Sequence, residues 1–353
     1  MTHLKEKKKK TIALTWWATW WHIFPLLSIY NYYKDNDNYK FVWAWEEDSL
    51  EEKVASDNNI VFLDVPAWKF RRYFDWKNFY EPLKNLTWFF FWIYYILRYN
   101  IKIVFSKWWY VSIPMCLAAF VLRKKIYIHE SDTTPWIANK LISLIAHKVF
   151  YSFENEKVNN KKHIFSGQLL NPELLENVKE AHIWVNTMLT IIVIAGSQWS
   201  TRIFESLIRI LPDLSDIKFN VILWEKNTKF KEEFSKFKNV TTYNFVDQKE
   251  MWEILKSSDI AITRWWATAL WELCVFGIHS LIIPLPESAW DHQNKNATYF
   301  KRNYESDVLD ETTDLELNLF KKLQKYKNLR KTWLNLDWFF KPLQIIEKEI
   351  IKK

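Results

Sequence analysis

Apolar and polar positions along the chain switch repeatedly between two periods. Runs of strand length rich in Ile, Val, Phe and Tyr read TIAL (11–14), KFVWA (40–44), IVFLDV (60–65), IKIVF (101–105), KKIYIHE (124–130) and KVFYSF (148–153). Later runs are LTIIVIA (189–195), FNVILW (219–224), VTTYNF (240–245), DIAIT (259–263) and SLIIPL (280–285). Helical spacing fills the intervals at Phe24–Tyr33, Lys77–Tyr99, Val111–Leu122, Phe204–Leu211, Glu250–Ser257 and Ala267–Phe276. Strand–helix alternation of this kind predicts parallel sheets covered by helices on both faces. Eleven strands are many for one open sheet, and the alternation pauses between HIFSGQLLNPELLENV and LTIIVIA. The expectation is an α/β chain of two doubly wound domains, 1–165 and 166–333, with a last helix, 334–353, packing back on the first.

Composition changes this picture at one point. Hydrophobic and charged shares of 49% and 25% are ordinary for a globular protein. Glycine and tryptophan are not ordinary. There are 3 Gly and 23 Trp, and together they fill about the 7% share that glycine alone usually takes. Every tryptophan pair falls where a doubly wound sheet needs small residues, after a strand and before a helix. Trp16-Trp17 and Trp20-Trp21 follow the first strand, Trp108-Trp109 follows IKIVF, Trp265-Trp266 follows DIAIT, and Trp199 sits in AGSQWS. Indoles lining a carbohydrate groove are the competing explanation, since they stack on sugars. Adjacent indoles in a tight turn clash, however, whereas glycine lets the backbone approach a ligand closely.

A net charge of +8 favours anionic partners, although a solvated lysine-rich surface has the same composition. Cys116 and Cys274 lie far apart in apolar segments, which argues against a disulfide framework and for a reducing cytoplasm. The basic leader MTHLKEKKKK runs into a strand and not into a signal-peptide apolar region. The most membrane-like run, NLTWFFFWIYYIL (85–97), is shorter than the ~20 residues that a spanning helix needs.

With glycine restored, the loops read TGGATGGHIFP, FSKGGYVSIP, AGSQGS and RGGATALGE. Together with AGKFRRYF (67–74), HESDTTPGIANK (129–140) and AGDHQNKNA (289–297), they resemble the MurG family in order from about Thr11 to Leu309. That family adds N-acetylglucosamine to undecaprenyl-linked muramyl-pentapeptide. A gene whose UGA codons specify glycine, translated as though they specified tryptophan, would produce this pattern. UGG at Trp16, Trp20 and Trp109 would exclude it. Trp76 and Trp338 sit in contexts that suit a true indole.

The resemblance implies two Rossmann-like domains facing across a cleft, the GT-B type of glycosyltransferase, and an inverting transfer from UDP-N-acetylglucosamine. It makes His22 the candidate base, with a helix-capping histidine as the alternative, and Glu130 the second catalytic candidate. Thr19, Tyr110, Ser112 and Asn139 are the expected acceptor contacts. On the donor side stand Ser197, Gln198, Ala267, Thr268 and Ala269 in the pyrophosphate loops, and Arg264 ordering its loop or offsetting phosphate charge. Glu272 takes the ribose hydroxyls, Gln293 the sugar hydroxyls, and Val246 meets uracil. A surface salt bridge is the alternative for Glu272. No cofactor is implied, and neither an Asp-x-Asp pair after a strand nor a His/Cys cluster with ligand spacing points to a metal. The family's Gly-Asn-Pro-Val-Arg is here Gly167-Gln168-Leu169-Leu170-Asn171, so Asn171 replaces an arginine expected near the nucleotide.

The implied partners are the donor nucleotide, the lipid-linked acceptor and an anionic membrane surface, with no nucleic acid. Peripheral attachment at the cytoplasmic face would use WFFFWIYYILRY with Lys84 and Arg98, and the leader lysines Lys7 to Lys10. An inward-facing core helix and a disordered tail are the other readings of those segments. A UDP-sugar epimerase or another nucleotide-sugar transferase of the same fold is the alternative enzyme. A non-catalytic sugar- or lipid-binding protein is the alternative if the tryptophans are real.

Overall fold

The computed structural model describes residues 9–15, 20–45, 50–64, 77–107, 112–154, 158, 160–181, 188–196, 200–244, 246–264, 267–286, 292–329, 331 and 337–351. At 20–25, 50, 51, 77–87, 179–181, 225 and 292 it describes the backbone alone. The chain divides into two units, Met1–Pro172 with Phe340–Lys353, and Glu173–Phe339.

In the first unit the order is β1 (Lys10–Thr15), α1 (Trp20–Tyr33), β2 (Tyr39–Trp45), α2 (Leu50–Asp57), β3 (Val61–Asp64) and α3 (Lys77–Arg98). There follow β4 (Ile101–Ser106), α4 (Ser112–Val121), β5 (Lys125–Glu130), α5 (Ile137–Ile145), β6 (Lys148–Tyr151) and β7 (His163–Phe165). All pairings are parallel, in the order β3-β2-β1-β4-β5-β6-β7, and the order reverses between β1 and β4. The period of two in these strands splits their side chains between two cores. Ile12, Leu14, Phe41, Trp43, Ile103 and Phe105 meet Leu26 and Ile29 of α1 and Val54 of α2. Ala13, Val42, Ala44, Val104 and Ile126 meet Trp92 and Ile96 of α3, Met115 and Ala119 of α4, and Ile142 of α5.

A connecting helix α6 (Pro172–Ala181) leads on to β8 (Thr190–Ile194), α7 (Thr201–Ile210), β9 (Lys218–Ile222), α8 (Lys231–Phe234), β10 (Val240–Tyr243) and α9 (Gln248–Lys256). After these come β11 (Ile260–Thr263), α10 (Ala267–Val275), β12 (His279–Ile282), α11 (His292–Asn303), β13 (Ser306–Val308), α12 (Leu315–Lys325) and α13 (Asp337–Ile351). The second sheet is also parallel, ordered β10-β9-β8-β11-β12-β13, with its reversal between β8 and β11. One core of this sheet sets Ile191, Val193, Phe219, Val221, Ile260 and Ile262 against α7 and α12.

The runs named from the sequence all become strands. The structure adds β7 and β13, each three residues long and at a sheet edge, where no apolar run marks them. It also adds α2, α5, α6, α8, α11 and α12. From Leu343 onward α13 packs into the first unit's core with Ile346 and Ile350. Polar ties reinforce it: Tyr32 donates to Glu347 at 2.8 Å and Lys148 pairs with Glu349 at 3.0 Å. Cys116 and Cys274 are buried free thiols. Among the described residues, no helix is long and apolar enough to cross a membrane.

Candidate active site

Ligands of doubly wound sheets collect beyond the carboxyl ends of the strands, at the reversal of strand order. In the first unit those ends are Thr15 of β1 and Ser106 of β4, which are paired in register. Trp16, Trp17, Thr19, Trp108, Trp109 and Tyr110 lie outside the described residues. Trp20, Trp21 and His22 form the first turn of α1, where the backbone alone is described. Ser112 is buried at the start of α4.

Glu130 ends β5, and its carboxylate organises the turn that follows. Oε1 accepts from the Asp132 backbone N–H at 3.0 Å. Oε2 accepts from the Trp136 N–H at 3.3 Å and from Asn139 Nδ2 at 2.7 Å. Both expected residues of this segment are therefore brought together, with Glu130 fully buried and Asn139 2% exposed. Trp136 is the N-cap of α5, its indole Nε1 donating to Asp132 Oδ2 at 2.9 Å, and the Glu130 carboxylate satisfies its backbone N–H, which the helix leaves open. Burial, and after it the Asp132 carboxylate, pushes the Glu130 carboxyl above the usual carboxylate range, against the three donors that favour its charge.

Sequence reasoning passed over two neighbours. Lys107 and His129 are fully buried beyond β4 and near the end of β5. His129 Nε2 lies 3.0 Å from the Gly167 carbonyl, which only accepts, so the ring proton sits on Nε2. Ser152 Oγ donates to Gln168 Oε1 beside it. Burial, then the Lys107 charge, lowers the His129 pKa to about 3 despite the hydrogen bond to Gly167. The imidazole is thus a neutral fastener between β5 and the segment 166–168. A single histidine inside an apolar strand gives no periodic signal of such a partner 38 residues away.

In the second unit, Ser197, Gln198, Trp199, Trp265 and Trp266 lie outside the described residues. The residues that flank them are well placed. Ser200, fully buried, precedes α7, and Arg264 precedes the turn into α10. All nine residues of α10 are buried, including Ala267, Thr268, Ala269 and Glu272. A helix buried on all sides in the domain needs small residues at its start, and it presents its N-terminal amides at the strand ends. Arg264 does not offer a free charge. Its Nη2 donates to Glu311 Oε1 at 2.8 Å, and its Nη1 donates to Glu311 Oε2 and to the Ile283 carbonyl at 3.3 Å.

Gln293 is 4% exposed in the first turn of α11. Its Oε1 accepts from the Leu285 N–H at 2.6 Å, which fixes the amide orientation and turns the NH2 end away from that backbone. Val246 is buried before α9, whose N-cap Asp247 accepts from the Glu250 N–H at 2.9 Å. Asn171 is buried ahead of α6. Trp224, beyond β9, has φ 57° and ψ 163°, a region populated almost only by glycine.

Residues 13–151 match the glycosyltransferase family 28 N-terminal domain, and residues 190–335 match the glycosyltransferase family 28 C-terminal domain. The UDP-N-acetylglucosamine--N-acetylmuramyl-(pentapeptide) pyrophosphoryl-undecaprenol N-acetylglucosamine transferase of Borreliella burgdorferi is 30% identical over 324 residues, covering 90% of this chain and 88% of that protein. The protein of the same name from Clostridium botulinum (strain Kyoto / Type A2) is 30% identical over 332 residues, covering 92% and 93%. Among solved structures, Acinetobacter baumannii MurG superposes with a TM-score of 0.72 at 18% identity over 95% of each chain. UDP-GlcNAc 2-epimerase from Neisseria meningitidis bound to UDP-GlcNAc gives 0.71 at 13% identity, over 98% of this chain and 100% of that one. At these identities the two superpositions speak for the fold alone, two Rossmann-like domains.

Proposed function

The chain belongs to glycosyltransferase family 28, in its MurG branch, and we propose a route for its transfer reaction built on the strand-end residues described above. It is a UDP-N-acetylglucosamine-dependent N-acetylglucosaminyltransferase that converts lipid-linked muramyl-pentapeptide to the disaccharide form. The observation that carries this conclusion is the match of both halves of the chain, 13–151 and 190–335, to one family, together with relatives named for this one activity.

In the proposed route the muramyl C4 oxygen attacks the anomeric carbon of the donor. The bond from that carbon to the UDP oxygen breaks, its electron pair leaves with UDP, and the configuration inverts. His22 takes the hydroxyl proton, a task suited to an unperturbed imidazole pKa near 6.5. Thr19, Tyr110, Ser112 and Asn139 hold the acceptor, and Glu130 sets Asn139 by the 2.7 Å hydrogen bond. Ser197, Gln198 and the amides that open α7 and α10 (Ala267, Thr268 and Ala269) receive the diphosphate, because helix N-termini carry orphan N–H donors and positive dipole ends. Glu272 accepts the ribose hydroxyls, the NH2 end of Gln293 donates to a sugar oxygen, and the Val246 backbone meets uracil. The loop tryptophans 16, 17, 20, 21, 108, 109, 199, 265 and 266 are glycine positions in the working enzyme.

The protein works at the cytoplasmic face of an anionic membrane. Support comes from α3, α4 and α5, which cover one face of the first sheet. On α3, Trp88, Trp92 and Ile96 turn inward at a spacing of four, while Phe90, Phe91, Tyr94 and Leu97 are exposed. Leu117, Phe120 and Val121 of α4 and Ile137, Leu141 and Leu144 of α5 are exposed too, with Arg98, Arg123 and Lys140 exposed on or next to these helices. Apolar side chains beside cations suit a lipid headgroup boundary.

The test is transfer of labelled N-acetylglucosamine from UDP-GlcNAc to a lipid-linked muramyl-pentapeptide, run on the chain as written and on a version with glycine at the nine loop positions. Transfer is expected from the glycine version, with β linkage in the product. Replacing His22 by Gln should lower kcat by about 10²–10⁴. Epimerised UDP-sugar formed without acceptor would instead favour the epimerase alternative.

A further inference from the structure

Glu311 follows β13 and precedes α12, and nothing in its sequence surroundings, LDETTD, marks it as part of a site. Its side chain is completely buried. It holds the Arg264 guanidinium through both carboxylate oxygens, and the Arg202 Nη1 lies 3.8 Å from Oε1. The two arginines flank different loops. Arg264 stands directly before the β11–α10 turn, and Arg202 lies in the first turn of α7, directly after the β8–α7 turn. Further bonds tie the same strand ends: Thr263 Oγ1 donates to the Ile194 carbonyl at 3.0 Å, and the Leu309 N–H donates to the Ile282 carbonyl at 2.9 Å.

We propose that Glu311 is a positioning residue of the donor site, joining the two diphosphate loops through Arg264 and Arg202 and setting their amides in register for the nucleotide. This rests on the donor assignment made above and deepens it. The carboxylate neutralises Arg264, so the guanidinium serves as a strut between Glu311 and the Ile283 carbonyl. The charge of the leaving nucleoside diphosphate is then met by backbone N–H groups and helix N-termini, which work only if the two turns are held at fixed separation. A buried carboxylate on the loop between β13 and α12 is a suitable link, because its bidentate pairing with Arg264 fixes angle as well as distance.

The version of the chain that transfers in the assay above is compared with Glu311→Gln and with the double variant Glu311→Gln/Arg264→Gln. Glu311→Gln should raise the KM for UDP-GlcNAc and the Kd for UDP about tenfold or more, with the acceptor KM within about twofold. It should also melt earlier, because Arg264 is left buried without its counter-charge. The double variant removes both charges; it should recover the melting temperature and still bind UDP weakly. That split separates positioning from plain stability. The proposal is overturned if Glu311→Gln binds donor normally, or if donor affinity returns with the melting temperature in the double variant. Should Glu311→Gln not fold, Glu311→Asp is read in its place, and normal UDP binding there overturns the proposal equally. If the parent chain binds no UDP-GlcNAc, the donor reading falls and takes this proposal with it. Parent binding with unchanged variants sinks this proposal alone.

Discussion

Trp224 shows how one residue can conflict with its backbone. A Cβ at φ 57° and ψ 163° clashes with the chain, and such conformations cost on the order of 1–3 kcal/mol in residues other than glycine. Asn59 and Asn100 also have positive φ, but asparagine tolerates the left-handed region. The Trp224 indole Nε1 is buried without a hydrogen-bond partner among the described residues, which adds to the cost. Trp224→Gly should therefore raise stability by about 1 kcal/mol in denaturant titrations, while Trp224→Ala should not. Equal gains from both substitutions would mean that only the indole matters, and would remove this support for a glycine codon. Trp43 is the contrast: fully buried in the first core, it sits on a regular strand. Composition exposed the excess of tryptophan, but only backbone geometry separates a misplaced indole from a fitting one.

Among the elements, α3 is apolar on both its buried and its exposed face. That it forms a helix was legible in the sequence; the structure turns Trp88, Trp92 and Ile96 inward, on one face by their four-residue repeat. Which of its aromatics would remain exposed was not legible, because nearly every position from 88 to 97 is apolar. Phe90→Glu with Leu97→Glu should weaken cosedimentation with anionic vesicles about tenfold or more without lowering the melting temperature. Undiminished binding would remove α3 from the membrane surface. Salt should weaken binding of the parent chain as well, since cations at the rim act through a screened field. The short edge strands β7 and β13 escaped sequence reading for a related reason: three residues generate no period.

At the scale of the molecule, polar links join segments far apart in sequence in each unit, His129 to Gly167 in the first and Arg264 to Glu311 in the second. His129 is neutral and buried when folded, with its pKa lowered from 6.5 to about 3. Between those values the unfolded chain binds a proton at His129 that the folded chain does not, so the contribution of His129 to stability should fall as pH drops from about 6.5 towards 3. His129→Gln should flatten that part of the acid profile, measured as denaturant midpoints on either side of pH 6. An unchanged slope would mean that other groups control acid stability.

Period and punctuation in the sequence determined the alternation of strands and helices and the doubly wound class, and its loop motifs carried the family resemblance. These are local properties, written over a few consecutive residues. The sequence also brought Glu130 and Asn139 into one segment, where nine positions separate them and a short turn suffices to join them. Tertiary structure alone decided that Arg264 is spent on Glu311, 47 residues away, that His129 fastens Gly167, and that Trp224 occupies a backbone conformation suited to glycine. A buried charge or ring takes its role from whatever the fold sets beside it, and no local pattern records that neighbour.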